Sequence, residues 1–377
     1  MIYFHIPFCK QACHYCDFHF STSLQYKEEL LSALQQELAI RAGYLADKQV
    51  HSIYFGGGTP SILSADEIQR LIDGVLQHFE LAKDAEITLE ANPDDLNREQ
   101  VQALRQTPIN RFSIGIQSFY EEDLRWMNRA HNASEAEAAI KRVQDAGFEN
   151  ITADLIYGYP LLSDEKWRMN MQQLIDYEIP HISSYAMTVE QRTALAHFIR
   201  QGKTPPMQEP QSARQMGMLI DTLSGAGFEH YEISNFAKPG HYARHNTAYW
   251  QGRHYLGIGP SAHSFNGSSR SWNVANNAGY ITGIQQGTPA LETEQLSSDD
   301  RFNEYVMTAL RTMWGIDRHK ISADFGTDYL GYLDQQAQPF LDQGTLMQQE
   351  ARFYVLSAKG KFIADYLASE LFFIAAD

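Results

Sequence analysis

Three cysteines, Cys9, Cys13 and Cys16, lie within eight residues, and the chain has no others. An odd set packed this tightly is not a disulfide framework. A Cys-x3-Cys-x2-Cys loop can instead wrap a cluster of iron and sulfur, for which thiolates are suited soft ligands. Three ligands for a four-iron cluster leave one iron without a protein donor. That position is open to a small molecule carrying an amine and a carboxylate. Two other readings compete: zinc, with His14 or His19 as fourth ligand, and small thiols gathered in a core. The polar neighbours Lys10, Gln11, His14 and Asp17 argue against a core. Tyr15, just ahead of the last cysteine in a loop that directly follows a β-rich run, favours iron and sulfur.

Other candidates depend on position. Gly56-Gly57-Gly58-Thr59-Pro60 follows an apolar run, and glycines there let backbone approach a ligand that a Cβ would hold off. Glu90 and Gln117 end later apolar runs, Asp154 lies within another, and Arg129 follows the fourth. A carboxylate or amide so placed suits ribose hydroxyls, and a guanidinium can grip a carboxylate through two parallel bonds. Taken singly, each is equally a surface cap or a salt-bridge partner. Further on, five of the 14 histidines (His230, His241, His245, His254 and His263) fall in one short stretch. Imidazole is a common axial ligand of haem iron, and aromatic faces pack against a macrocycle. Loop histidines bonded to backbone are the ordinary alternative.

The elements that must position these residues follow a regular rhythm. Short β-rich runs at Ile2–Ile6, Ser52–Phe55, Glu86–Glu90, Arg111–Ile116, Ile151–Tyr157 and His181–Met187 alternate with helical patterns. In Ser64–Phe79 the residues Ile68, Leu71, Ile72, Val75, Leu76 and Phe79 share one face. Ser64 with Glu67, and Ser134 with Glu137, read as capping boxes. Leu30, Leu34 and Leu38 mark the helix after the cysteine loop. Six strands each followed by a helix predict a parallel α/β architecture with right-handed crossovers. Six units fall short of the eight of a closed barrel, so the expected core is a partial (β/α)6 barrel. Beyond residue 188 the rhythm breaks. A helix is expected over 205–222, a strand at Phe228–Ile233, and loops to about 280. A linker follows near Thr288–Ser298. Residues 299–377 read as a small, mainly helical, winged-helix-like unit whose acidic excess disfavours a DNA reader. The expected division is 1–200 for the barrel, 201–290 for an extension, and 299–377.

With these residues placed, a resemblance emerges. Cys9-Lys10-Gln11-Ala12-Cys13-His14-Tyr15-Cys16 resembles the signature of the radical S-adenosylmethionine (SAM) superfamily, whose members bind a [4Fe–4S] cluster and cleave SAM to a 5′-deoxyadenosyl radical. Gly56 to Pro60 resembles the motif whose backbone meets the SAM amino group. Glu90, Gln117, Arg129 and Asp154, together with Tyr3, are similar to the SAM contacts of the oxygen-independent coproporphyrinogen III oxidase family. The resemblance implies that Tyr3, Tyr15, Gly57, Gly58, Thr59, Glu90, Gln117, Arg129 and Asp154 serve SAM. The dehydrogenases of that family carry a further cysteine two residues past the third, where this chain has Phe18. His245-Asn246-Thr247-Ala248-Tyr249-Trp250 resembles the HNxxYW motif of haem chaperones of the HemW type. That likeness assigns His245, Asn246, Tyr249 and Trp250 to haem, with His245 as the leading iron ligand and Tyr249 as the alternative. Gly257-x-Gly259-Pro260-Ser261-Ala262-His263 also resembles the family and is expected to close the SAM pocket.

Composition bounds the function. Thirty Lys and Arg against 46 Asp and Glu give a formal charge of −16, which argues against general binding to nucleic acid or anionic lipid. No charge-free apolar run approaches the roughly 18 residues of a membrane span, and MIYFHIPFCK shows no secretory pattern. The expectation is a cytoplasmic haem chaperone that uses a [4Fe–4S] cluster, SAM and haem. It delivers haem to acceptor haemoproteins, such as respiratory enzymes of the membrane, and meets the inner membrane peripherally, through partners. The alternative is an oxygen-independent coproporphyrinogen III dehydrogenase, which decarboxylates two propionates to vinyl groups. Phe18 and the HNxxYW motif weigh against that activity. A radical-SAM enzyme modifying tRNA or peptide is weaker, since the chain has no fourth cysteine.

Overall fold

The computed structural model describes residues 1–374, so the last three residues of the unit expected at 299–377 lie outside the described residues. β1 (Ile2–Ile6), β2 (Gln49–Gly57), β3 (Glu80–Ala91), β4 (Arg111–Gln117), β5 (Ile151–Tyr157) and β6 (His181–Ala186) pair in parallel and in chain order. All six expected strands are present, with β2 and β3 starting earlier and β6 ending one residue sooner. Side chains alternate across the sheet. Ile2, Phe4 and Ile6 join Leu30, Leu34 and Leu38 in the main core, while Tyr3 and His5 project to the other face.

The helix Ala65–Leu76 begins at the Ser64–Glu67 capping box and buries Ile68, Leu71, Ile72 and Val75. The second box is displaced by two residues. Asn132 caps the helix Ala133–Asp145, and Glu135 returns the bond to the Asn132 backbone. Asn and Ser cap almost equally well, and Ser134 donates its hydroxyl to the Asn132 side chain at 2.7 Å.

The stretch expected to be loop-rich is more ordered than that, and it extends the same sheet. The expected helix appears at Glu209–Gly225. β7 (Glu229–Glu232) and β8 (Asn235–Ala237) add antiparallel strands beyond β6, and β9 (Leu256–Ile258) runs parallel beside β1. The strand order is β7-β8-β6-β5-β4-β3-β2-β1-β9, which leaves β7 and β9 as edges of an open barrel. β10 (His263–Phe265), β11 (Ser269–Asn273) and β12 (Leu291–Gln295) form a separate antiparallel sheet. β12 occupies the stretch expected as a linker, because it satisfies the free edge of β11.

The C-terminal unit packs Ser298–Leu310, Arg318–Asp324, Thr327–Asp342 and Ala364–Glu370 around a small sheet. That sheet consists of β13 (Ile316–Asp317), β14 (Leu346–Gln349) and β15 (Phe353–Leu356). Phe302, Val306, Leu310, Leu333 and Leu367 build its own core. Helices interleaved with three short antiparallel strands match the winged-helix expectation. Among the described residues no helix is long and apolar enough to cross a membrane.

Candidate functional site

The cysteine loop leaves the end of β1 and is laced by backbone to the glycine turn that ends β2. Gly58 and Thr59 donate their N–H groups to the carbonyls of Ile6 and Phe8 at 2.9 and 2.7 Å. Cys9 and Ser21 close the loop's own base, Cys9 N–H reaching the Ser21 carbonyl at 3.0 Å. The thiols sense one another. Burial lifts Cys16 to about 11, with Cys13 and Cys9 adding to the effect, and burial also raises Cys9. Thr59 Oγ1 donates toward Cys9 Sγ and Arg129 Nη1 toward Cys13 Sγ, each at 3.4 Å; donors so aimed favour the thiolates that metals require.

A single zinc fits this loop poorly. His14 Nδ1 bonds the Trp126 carbonyl at 2.8 Å, and His19 Nε2 bonds Asn277 Oδ1 at 2.7 Å. Among the described residues no three His, Cys, Asp or Glu side chains converge as one small ion demands. Three cysteines on one loop, with donors aimed at two of their sulfurs, suit thiolate ligation of an iron–sulfur cluster.

At positions 56–58 the protein's own packing also requires glycine. A Cβ on Gly56 would stand 2.9 Å from the rings of Tyr3 and Tyr54. One on Gly57, at φ +109°, would stand 2.8 Å from His5, and one on Gly58 2.7 Å from the Phe8 carbonyl.

Behind the glycine turn, the inner face of the barrel gathers the expected polar residues. Glu90 accepts from the Tyr54 hydroxyl at 2.7 Å and from Gly57 N–H at 3.2 Å. Burial raises its carboxyl to about 7, and Asp154 pushes in the same direction. Burial also lifts Asp154 to about 6, against hydroxyls of Ser183 and Ser113 that favour the charged form. Two nearby carboxyls with raised pKa values inside a barrel mark a place built for a ligand. Arg129 Nη2 donates to Asn92 Oδ1 at 2.7 Å and to the Gly115 carbonyl at 3.0 Å, and Nη1 reaches the Tyr15 hydroxyl at 3.4 Å. Its Nε is buried without a partner, a donor left for something absent from the protein. Gln117 holds φ +65°, a strained conformation for a non-glycine residue. Tyr3 bonds His5 Nδ1 at 3.2 Å.

The HNxxYW stretch forms the short helix Arg244–Trp250, which bridges two environments. At its start the N–H groups of Arg244 and His245 donate to the Glu86 carboxylate at 3.1 and 3.0 Å, a favourable charge for a helix N-terminus. His245 Nδ1 lies 2.9 Å from Ser52 Oγ, and burial lowers its pKa to about 3. The ring packs against β2 with Nδ1 bonded to Ser52, which leaves Nε2 without a hydrogen-bond partner among the described residues. At the other end Tyr249 is 40% exposed. Its ring meets Trp250 and Tyr255 at 5.1 and 5.5 Å, and Arg311 lies over Trp250 at 5.2 Å. Asn246 is half-buried between these ends. Gly257 and Gly259 lie on and just after β9, where Gly259 N–H donates to Glu37 at 2.9 Å beside β1.

Sequence reasoning missed Asn92, which steadies Arg129 and donates to Thr59 Oγ1 at 3.3 Å. It also missed Ser52 and Tyr54. The alternation Ser52, Tyr54, Gly56 on one face of β2 is a signal that could have found both.

Known proteins resemble this chain along nearly its whole length. The model of the radical SAM superfamily matches residues 3–174, and that of the HemN C-terminal domain matches residues 296–363. The haem chaperone HemW of Bacillus subtilis is 30% identical over 366 residues, 96% of each chain. HemW of Mycobacterium tuberculosis is 34% identical, covering 98% of this chain and 94% of its own length. HemW of Escherichia coli is 32% identical, covering 98% and 97%. The coproporphyrinogen III oxidase HemN of Escherichia coli, described as a radical SAM enzyme, superposes with a TM-score of 0.84 at 24% identity. That superposition covers 98% of this chain and 89% of HemN, and it reflects a shared fold.

Proposed function

The chain belongs to the haem chaperone HemW family of the radical SAM superfamily, and from that premise we propose that it binds haem and delivers it to acceptor haemoproteins. The observation that carries this reading is similarity to HemW relatives along nearly the whole length of both chains. Phe18 supports it. Where the dehydrogenases are expected to carry an additional cysteine, this chain presents an apolar ring that is 69% exposed.

Cys9, Cys13 and Cys16 would hold a [4Fe–4S] cluster whose open iron takes the amine and carboxylate of SAM and, when bound, supplies an electron. Arg129, with its free Nε, and Gln117 serve the polar end of SAM, while Glu90 and Asp154 suit its ribose. Tyr3, Tyr15, Gly57, Gly58 and Thr59 shape the walls. His245 positions the HNxxYW helix, and Tyr249 and Trp250 face the haem side. The protein works in the cytoplasm and reaches membrane respiratory enzymes as acceptors through protein contact.

The test is anaerobic reconstitution of the cluster followed by incubation with SAM and coproporphyrinogen III. The expected result is no protoporphyrinogen and no release of carbon dioxide. Stoichiometric decarboxylation of both propionates would overturn the reading in favour of a dehydrogenase.

A further inference from the structure

A groove of about 370 Å³ opens at the outer end of the HNxxYW helix. Its walls are the 251–255 turn, the β10–β11 hairpin and helices of the C-terminal unit. Tyr249, Tyr255, Phe265 and Phe325 give it aromatic surface. Four cations line it, Arg253, Arg270, Arg301 and Lys320, against two carboxylates, Glu304 and Asp324. The groove therefore carries two surplus positive charges on a chain whose formal charge is −16. Arg270 pairs with Glu304 and Lys320 with Asp324. Arg253 and Arg301 are the surplus. Arg301 lies over Phe325 at 6.0 Å, and among the described residues neither it nor Arg253 forms an ion pair.

His254 stands on the same wall, its ring edge-on to Phe265 at 5.8 Å. Among the described residues only its backbone carbonyl is hydrogen-bonded, to the Met1 ammonium, so both ring nitrogens are free. His230, by contrast, has both ring nitrogens bonded, and His245 has its Nδ1 bonded to Ser52. Gly267 makes room for the imidazole, since a Cβ there would stand 2.5 Å from His254 Nε2.

We infer that this groove is the haem site, with His254 as the axial ligand and Arg253 and Arg301 pairing with the two propionates. The inference rests on the haem-carrier reading and gives it a location. An aromatic slot, two guanidiniums outside any ion pair and a free imidazole match a flat, apolar macrocycle with two carboxylates and an iron at its centre. The arrangement also accounts for the HNxxYW helix: His245 anchors one end in the barrel while Tyr249, at the other, forms part of the groove.

The experiment is a titration of the full chain with ferric haem, read by absorption, for wild type, His254→Ala, Arg253→Glu and Arg301→Glu. Thermal melting of each variant serves as the folding control. His254→Ala is expected to shift the Soret band, and free imidazole to restore it. Each arginine reversal is expected to weaken affinity at least about tenfold with the Soret position unchanged. Iron-free protoporphyrin IX should still depend on the arginines but not on His254. Should His254→Ala fail the melting control, His254→Tyr carries the test, with a changed band expected. If wild type binds one haem and the variants match it in band and affinity, the groove assignment is overturned while the carrier reading stands. If wild type shows no saturable haem binding, both fall.

Discussion

The imidazole of His245 lies against the phenol ring of Tyr54, centroids 5.1 Å apart, joining the HNxxYW helix to the inner face of β2. The Tyr54 hydroxyl donates to Glu90, and the other oxygen of that carboxylate accepts Gly57 N–H. A helix whose outer end lines an aromatic groove thus touches, through two side chains, the glycine turn laced to the cysteine loop. A chain of contacts becomes a coupling only when a change at one end is felt at the other.

His245→Ala should therefore cost stability rather than iron ligation. The substitution opens a cavity beside Tyr54 and removes the partner of Ser52, a loss of about 2–3 kcal/mol. Urea denaturation measures it. Haem stoichiometry should be retained, and its disappearance in a protein that still melts cooperatively would return the iron to His245.

Tyr54→Phe keeps the ring stack and deletes the hydroxyl. Glu90 loses its shorter hydrogen bond, and a cost of about 1 kcal/mol in stability is expected. SAM affinity, measured by equilibrium dialysis on the reconstituted protein, should fall several-fold. Unchanged affinity would mean that Glu90 needs no orientation from β2.

Cys13→Ser should abolish the visible absorption of the reconstituted cluster while leaving haem binding largely intact. The cysteine loop and the groove use separate residues, so each should fill without the other. Loss of haem together with the cluster would show that the two sites are not independent.

Glu90 also predicts a pH dependence. Its carboxyl titrates near 4.5 when unfolded and near 7 in the ligand-free fold. Below pH 4.5 both states are protonated and the group contributes nothing. Between 4.5 and 7 the unfolded chain releases its proton first, so stability falls as pH rises across that window. The loss is complete above about 7. Melting temperatures from pH 5 to 8 should therefore decline more steeply for wild type than for Glu90→Gln, with the variant gaining relative stability at pH 8. Parallel profiles would contradict a buried, uncharged Glu90.

Most of the barrel and the cysteine site were legible because they are local. Alternating runs name β1 to β6, and Cys9, Cys13 and Cys16 occupy one short loop. What stayed hidden depends on partners far along the chain. β9 has three residues and no readable period, and it is a strand only because β1 offers it an edge. His245 was recognisable as part of a motif, but its direction is set by Ser52 and Glu86, more than 150 residues earlier. His254 looked like any other loop histidine until the C-terminal unit supplied the opposite wall of its groove.

The most direct test of the carrier account is haem transfer. The full chain, loaded with one ferric haem and freed of excess, is mixed with bacterial membranes whose respiratory haem enzymes have been depleted of haem, and oxidase activity and the chain's Soret band are followed together. The account predicts that activity returns as the band declines in proportion, faster than with an equal amount of free haem. Haem bound in unsaturable, multiple copies, with no activity restored beyond the free-haem control, would contradict it.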